Sequence, residues 1–264
     1  MSKFVIVFFS FYIIIILSGC GSSDIINSRW TDEPIAMSAT FDDWRGKTFY
    51  VQDKSLMVGV QNDGEYLYLT LMTGDRNNKM QILGRGLNIW FDREGGNDKY
   101  FGINYPTGVM GGGMMNMKRN DDNNNENGDD MMNQLFAKAQ AQNDYNLLGP
   151  GENDKKSMSL NDTNGLMIQM DLINDVLIYK MKIALYNSPE EDISLGLNHA
   201  TLNFGLGLEV PEFKFTRPKE DNNEQNNNGN MGEHKGHGNF GKGNRGSVPE
   251  QLKYWCNIKL AGRK

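Results

Sequence analysis

The residues best suited to chemistry gather in one segment, GLNIWFDREGGNDKYFGINYP, at positions 86–106. Asp92, Glu94, Asn97 and Asp98 supply the hard oxygen ligands that calcium prefers. Their spacing does not match an EF-hand loop, and Gly-rich acidic segments of this kind are typical of solvated turns. We therefore predict a hairpin turn at this position, with no metal assigned.

Asp92 and Glu94 are also the carboxylates closest to a glycoside hydrolase pair. Strand alternation would place both on the same side of a mobile tip, where nothing desolvates one of them to make a general acid. The sequence has no Gly-Lys phosphate loop, Gly-x-Ser-x-Gly elbow or His-Glu-x-x-His pair. The chain is therefore predicted not to be an enzyme.

Aromatic residues in and near this segment favour binding instead. Alternation places Trp90, Tyr100, Tyr66 and Tyr68 on the polar side of their hairpins, with Asp92 beside them. Flat rings flanked by hydrogen-bonding groups match a pyranose, which has an apolar face and polar edges. These residues form the predicted carbohydrate-binding site. The alternative is packing, because Trp90 and Tyr68 would each lie opposite a glycine and cover its backbone.

Methionine and histidine residues form a third candidate group, because thioether and imidazole ligands suit copper(I). The group consists of Met110, Met114, Met115, Met117, Met131, Met132, His234 and His237. His199 is the only other histidine, and it lies in a turn-like segment, so no axial pair for haem stands out. Copper or haem binding is the alternative to sugar binding, and no cofactor is assigned.

The N-terminus has the pattern of a targeting segment. Lys3 precedes an apolar run at 4–17, which is shorter than a membrane span requires. The LSGC sequence that follows resembles a bacterial lipobox, which implies cleavage before Cys20 and acylation of that residue. We predict a lipoprotein signal peptide over 1–19, a flexible tether over 20–29, and a lipid-anchored location in the bacterial cell envelope, at the outer membrane or cell surface. An ordinary signal peptide is the alternative.

Charge and cysteine content narrow the classes of partner. The formal net charge is −6 and the basic residues are scattered, whereas nucleic-acid binding requires a basic surface. Nucleic acid is therefore not an expected partner, and membrane contact is expected through the lipid. With Cys20 acylated, Cys256 is the one cysteine left. Its alternating surroundings predict a small core residue.

Two segments differ in composition from the rest of the chain. Residues 107–143 and 217–247 are rich in Asn and Gly and poor in branched apolar residues, so we predict disordered inserts. The first insert is predicted to end in a short helix at MMNQLFAKAQAQ, where good helix formers gather. The remainder of 30–264 is predicted to form a single domain.

Alternating apolar residues set the register of three predicted hairpins, because side chains in a strand alternate between its two faces. The predicted loops, each with one pair, are Asp63-Gly64 with Val60–Leu67, Asn174-Asp175 with Leu172–Leu177, and an odd loop centred on Gly96 with Phe91–Phe101. Many short strands without sustained helical periodicity predict an all-β, antiparallel sandwich or barrel.

The order of four motifs resembles the family 9 carbohydrate-binding modules and their DOMON-like relatives. The motifs are FDDW, VGVQNDGEYLYLTLMTGDR, GLNIWFDREGGNDKYFGINYP and LIYKMKIALYN. Asp63, Tyr66 and Tyr68 match the hairpin motif of that family, and Asp92 matches the end of a strand.

The late motif departs from the family pattern at two positions. Lys180 stands where Glu is common, and Ala184 stands where Pro is common. The resemblance implies a β-sandwich that acts as a non-catalytic carbohydrate-binding or surface-interaction domain. A haem- or copper-binding electron-transfer domain and a structural envelope scaffold are the alternatives on this fold.

Overall fold

A computed structural model describes residues 24–38, 40–109, 126–150, 154–212 and 250–263. These residues form fourteen strands, in chain order β1 (Asp24–Asn27), β2 (Arg29–Trp30), β3 (Thr48–Val51), β4 (Leu56–Asn62), β5 (Tyr66–Thr73), β6 (Asn88–Asp92), β7 (Phe101–Asn104), β8 (Asp144–Leu148), β9 (Lys155–Ser159), β10 (Leu166–Ile173), β11 (Val176–Tyr186), β12 (Ser194–Leu197), β13 (Asn203–Glu209) and β14 (Lys253–Lys259). They form two sheets.

Sheet A has the order β1-β14-β13-β6-β7-β8-β9. Sheet B has the order β10-β11-β5-β4-β2, and β3 and β12 also pair with β4 and β11. Neighbours are antiparallel except β1 with β14, β2 with β4 and β11 with β12. The prediction of an all-β sandwich is confirmed.

The core lies between the inner faces of the two sheets. Strand alternation points every second residue inward, so each strand contributes a row of aliphatic or aromatic side chains. Val58 and Leu69 of sheet B and Ile89 and Leu206 of sheet A belong to this core and are at most 1 % exposed. Cys256 is also buried there, as predicted, and burial raises the pKa of its thiol to about 12.

Two of the three predicted hairpin registers match the structure. Leu172 pairs with Leu177, and Phe91 pairs with Phe101. In the first hairpin Val60 pairs with Leu69 rather than Leu67, a shift of two residues. A shift of two keeps every side chain on its predicted face, so the core positions are unchanged.

Two helices cover one end of the sandwich. Helix α1 (Arg76–Arg85) was not predicted; Asp75 caps it by accepting a hydrogen bond from the Asn78 amide at 2.9 Å. Helix α2 (Glu126–Gln140) lies inside the predicted first insert and extends the helix expected there. Leu83 of α1 and Leu135 of α2 join the core. Neither described helix is long and apolar enough to cross a bilayer.

The chain enters the sandwich earlier than predicted. Residues 24–29 were predicted to belong to the flexible tether, but β1 and the start of β2 lie there, and Ile26 is 6 % exposed. Ser28 lies between the two strands, where its hydroxyl contacts the Asn62 side chain. Paired backbone and a buried Ile26 hold residues 24–29 in the fold, so these residues are not a flexible tether. Cys20 and the predicted insert at 217–247 lie outside the described residues.

Candidate functional site

Trp90 lies at the centre of the outer face of sheet A. Gly102 of β7 and Gly207 of β13 flank it in register. The indole lies on Gly102, where an added Cβ would be 2.6 Å from Trp90 Cε3. Trp90 is 0 % exposed. This is a correction to the predicted sugar site: Trp90 packs on a bare backbone patch and presents no face to a ligand.

The loop at 93–100 folds back onto sheet A next to Trp90. The Gly96 carbonyl oxygen would be 2.1 Å from a Cβ added at Gly205 of β13, so a side chain at Gly205 would prevent this approach. Lys99 extends from the loop, and its Nζ lies 5.6 Å from the centre of the Trp90 ring. Strand alternation alone does not predict such a cover, which is why the sequence suggested an open face.

Asp92 holds this loop in shape. Its carboxylate accepts hydrogen bonds from the amides of Glu94 and Asp98, each at 3.0 Å. Asp92 is 4 % exposed. The acidic segment is therefore a hydrogen-bonded hairpin turn, as predicted, but Asp92 serves the turn and does not reach the surface as a sugar contact.

Glu209, at the end of β13, is the centre of a charged cluster on the same face. Lys99 Nζ lies 2.5 Å from Glu209 Oε2, and Lys253 Nζ lies 3.3 Å from Oε1. Trp255 Nε1 donates a hydrogen bond to Oε1 at 3.2 Å. Only 5 % of the Glu209 side chain is exposed. Three donors thus occupy a carboxylate that is almost removed from water.

The surroundings of Glu209 decide its protonation. Burial by itself would raise the pKa of the carboxyl group. Hydrogen bonds from Lys99 and Trp255, together with the charges of Lys99 and Lys253, outweigh burial and lower the pKa. Glu209 is therefore ionised at neutral pH and is a hydrogen-bond acceptor, not a proton donor.

Trp255 is the aromatic residue of this face that stays partly exposed. It belongs to β14 and lies on Gly207, where an added Cβ would be 2.5 Å from the indole. One face of the Trp255 indole packs on Gly207, so the solvent-exposed part of the indole lies away from that contact. Trp255 and Glu209 were not among the predicted site residues, although alternation in GLGLEV places Glu209 on the same face as Gly205 and Gly207.

Tyr66 and Tyr68 are on the outer face of sheet B, not beside Trp90. Tyr68 is 2 % exposed, and its hydroxyl donates to Asp63 at 2.6 Å. It packs in a small cluster with Trp44. The prediction that Tyr66 and Tyr68 share one surface with Trp90 is wrong, because the two hairpins that carry these rings belong to different sheets.

Tyr66 is tied to its surroundings by two polar contacts. Its hydroxyl donates to Glu191, and the ammonium of Lys182 lies 3.6 Å from its ring centre. The hydrogen bond to Glu191 favours the neutral phenol and, with burial, raises its pKa to about 12. Tyr66 is therefore part of an ion–aromatic contact that already occupies its ring.

Tyr100 is the predicted site residue that the structure leaves open. Its side chain is 57 % exposed at the end of the 93–100 loop, and the Arg93 guanidinium lies 5.7 Å from its ring centre. It is a surface aromatic on the same hairpin as Trp90, and a ligand can reach it without any rearrangement of the loop.

The structure describes only part of the predicted metal-binding group. Met132 is 4 % exposed in the core, and the His199 ring packs on Tyr186 with centres 4.1 Å apart. The members at 110–117 and the two histidines at 234 and 237 lie outside the described residues. Among the residues that are described, no group of three or more His, Cys, Asp or Glu side chains is placed to hold a metal ion.

A polar cavity of 180 Å³ lies beside the start of α1. Its wall includes Lys54, Asp75, Gln81 and Glu250, and no aromatic residue lines it. Lys54 Nζ and Glu250 Oε1 are 2.6 Å apart, and Gln81 donates to the Glu250 carbonyl at 3.0 Å. These groups already satisfy one another, so the cavity has fewer free hydrogen-bonding groups than its composition indicates.

Comparison with known proteins shows similarity at the level of structure. No family model matches the chain, and no curated protein matches it in sequence. One similar solved structure is a family 9 carbohydrate-binding module from Caldicellulosiruptor kristjanssonii in complex with glucose, at 11 % identity and a TM-score of 0.35. That alignment covers 91 % of this chain and 97 % of the other. A module of the same family and organism with cellotriose gives 11 % identity, a TM-score of 0.37, and 91 % and 95 % coverage.

Proposed function

We propose that this protein is a non-catalytic, glycan-binding lipoprotein of the bacterial cell envelope, anchored through Cys20 at the outer membrane or cell surface. The observation that carries the binding proposal is the partly exposed Trp255 indole beside the buried, ionised Glu209. An indole with a fixed carboxylate and an ammonium at its edge matches the apolar face and hydroxyl rim of a pyranose.

The proposed contacts divide between stacking and hydrogen bonding. Trp255 supplies the ring, while Lys253, whose side chain is 62 % exposed, supplies a donor beside it. Tyr100 adds a second exposed ring on the 93–100 loop. Trp90 and Asp92 are buried in the neighbouring part of sheet A, and Tyr68 is buried in sheet B.

A binding role fits the electrostatics of the cluster better than catalysis. The pKa of Glu209 is lowered, so its carboxyl group cannot act as the proton donor that glycoside hydrolysis requires.

Titration calorimetry with soluble oligosaccharides tests the proposal, with glucose and cellotriose among the first probes. Binding that is lost in Trp255→Ala and in Lys253→Ala, but kept in Met167→Ala on the far edge of sheet B, is the expected result. Oligosaccharide binding that is equal in all three variants would refute the assignment of this surface. An absence of binding to a broad glycan array would refute the glycan-binding function.

A further inference from the structure

A row of polar side chains crosses the outer face of sheet A beside Trp255. Its members are in register on five neighbouring strands, and we call them the polar row: Lys253, Glu209, Asn88, Asn104 and Asn146. Asn88 lies two residues before Trp90 on β6, so alternation places the row on the same outer face. Because neighbouring strands are about 4.8 Å apart, the row is about 19 Å long.

Asn88 differs from the rest of the polar row in its hydrogen bonds. Asn146 Nδ2 donates to Asn104 Oδ1 at 2.8 Å, and Asn104 Nδ2 donates to the Leu87 carbonyl at 3.3 Å. The Asn88 carboxamide has no hydrogen-bond partner among the described residues, although the residue is only 4 % exposed. Buried side-chain amides nearly always have a partner, so an unpaired carboxamide at this position indicates a ligand.

The Asn88 carboxamide is within reach of a ligand on the surface of the sheet. Its polar atoms keep a small contact with solvent, whereas Nε1 of the neighbouring Trp90 is completely buried. Glu209 and Asn104 lie in register on either side of Asn88, and each is at most 7 % exposed. The unpaired carboxamide is therefore in the middle of the polar row, between two polar side chains.

The chemistry of this carboxamide indicates the class of ligand. It offers an acceptor oxygen and two N–H donors side by side. Two hydroxyl groups on adjacent carbons of a sugar ring match this pair, because one hydroxyl donates to the oxygen while the other accepts from the nitrogen. Asn88, Asn104 and Asn146 carry no charge, so they suit a neutral sugar better than a uronic acid, whose carboxylate favours a cationic partner.

The distance between Asn88 and Trp255 sets a lower limit on the length of a shared ligand. β6 is two strands from β14, which is about 10 Å across the sheet. A ligand that contacts both side chains must therefore be longer than one sugar ring. Glu209 lies on the strand between them, where its carboxylate is already held by Lys253 and Trp255.

We propose that Asn88 determines specificity at a second subsite for a neutral oligosaccharide, which crosses the strands of sheet A from Trp255 along the polar row. This inference rests on the proposed glycan-binding function, to which it adds a direction and a residue. One sugar stacks on Trp255, and a further sugar of the same chain places two adjacent hydroxyl groups on Asn88. Lys253 and Glu209 border the path between the two subsites.

Titration calorimetry of the full-length protein with sugars of two lengths tests this subsite. The probes are cellotriose, xylotriose and mannotriose, each compared with its monosaccharide. Asn88→Ala removes the carboxamide, and Asn88→Ser keeps one hydroxyl in its place. Asn203→Ala is the matched control, because Asn203 is an exposed asparagine on the same face of β13 as Glu209, at the other end of that strand.

The expected result is a loss that depends on the length of the sugar. Asn88→Ala should weaken trisaccharide binding about tenfold, and Asn88→Ser should weaken it less, because only the longer ligand reaches the carboxamide. Monosaccharide binding at Trp255 should stay unchanged, as should all binding by Asn203→Ala. The midpoint of thermal unfolding without sugar should not fall in either Asn88 variant, because the carboxamide has no partner to lose among the described residues.

Three outcomes would overturn the subsite. The first is wild-type trisaccharide affinity in both Asn88 variants; if Trp255→Ala abolishes binding in the same experiment, the subsite fails and the proposed function stands. The second is an equal loss of affinity for monosaccharides and trisaccharides, which would indicate a structural role for Asn88. The third is wild-type protein that binds none of the three trisaccharides, whereas an absence of binding to the broad glycan array would refute the proposed function as well.

Discussion

The outer faces of the two sheets each place tryptophan on glycine, but they differ in what covers the pair. On sheet B, Trp44 comes from the segment between β2 and β3 and lies on Gly59, where an added Cβ would be 2.7 Å from its ring. Trp44 packs there in a cluster with Tyr68, and each of the two side chains is 2 % exposed. On sheet A the tryptophans belong to the strands, and the 93–100 loop covers Trp90 but leaves Trp255 partly exposed.

This difference shows that exposure depends on the covering segment, not on the strand face. Trp90 and Trp255 lie on the same face of the same sheet, each on a neighbouring glycine, and only one is fully buried. A binding surface is therefore expected at Trp255, where the cover ends, and substitutions in both sheets test this expectation.

The largest effect is expected for the fully covered tryptophans. Trp44→Ala and Trp90→Ala should each lower the free energy of unfolding by about 3–5 kcal/mol, because each removes a buried ring and leaves a cavity. Trp255→Ala should cost less, since part of its surface is already in water. Urea unfolding of the three variants measures this, and a cost for Trp255→Ala equal to that of Trp90→Ala would contradict the comparison.

The charged cluster around Glu209 on sheet A should have a smaller, pH-dependent effect on stability. Glu209→Gln should cost about 1 kcal/mol at pH 7, because it weakens charge-assisted hydrogen bonds that are partly screened by solvent. The folded-state pKa of Glu209 is lowered, so its contribution is present above the unfolded pKa of about 4.3 and is lost as the pH falls through the folded value. Unfolding of wild type and variant at a series of pH values measures it. A stability difference that persists in strong acid would argue against an ionised Glu209.

The hydrogen bond between Tyr66 and Glu191 is a weaker contact on sheet B. Tyr66→Phe should lower stability by about 0.5–1 kcal/mol. Because the folded pKa of Tyr66 is raised to about 12, its contribution is present below the unfolded value of about 10 and is lost as the pH rises through 12. Ultraviolet titration should show one late-ionising tyrosine fewer in the variant. If the phenol lost in the variant instead titrates near the ordinary tyrosine pKa of about 10, Glu191 does not hold it.

Tyr100 should matter least for stability. Tyr100→Ala is expected to change the free energy of unfolding by less than about 0.5 kcal/mol, because the ring is 57 % exposed and caps no core residue. Oligosaccharide affinity should nevertheless fall, while Tyr50→Ala serves as the exposed-tyrosine control. A loss of affinity in Tyr50→Ala of the same size would show that Tyr100 has no special role.

Local sequence patterns predicted the parts of the fold that depend on local physics. Asn174 and Asp175 both adopt positive φ, as a two-residue loop requires, and the hairpin they close has the predicted register. The register at Asp63 differs by two residues because the turn lies one residue further along the chain, at Gly64-Glu65. There the Asp63 amide donates to the Tyr66 carbonyl at 3.2 Å, and the Asp63 carboxylate accepts hydrogen bonds from the amides of Glu65 and Tyr66. A side-chain bond of this kind competes with the two-residue turn that Asp-Gly favours.

The features that the sequence did not predict depend on contacts between residues that are far apart in the chain. Helix α1 has a weak apolar pattern, RNNKMQILGR, and one of its buried residues is Lys79, whose Nζ donates to the Asp175 carbonyl at 2.7 Å. Nothing near Lys79 in the chain indicates that contact. The burial of Trp90 likewise depends on how the 93–100 loop meets β13, whereas the pairing of Trp90 with Gly102 followed from alternation alone.

The parallel pairing of β1 with β14 has a consequence for the order of assembly. Among the described strands β1 is synthesised first and β14 last, yet each lies beside the other, and the Tyr254 hydroxyl donates to Asp24 at 3.0 Å. Contacts between such distant segments form slowly, because a long loop must close before they contribute any stability. Until β14 has been synthesised β1 therefore has no partner in its sheet, and its unpaired backbone is open to proteases and chaperones. The first strand made is among the last to be secured.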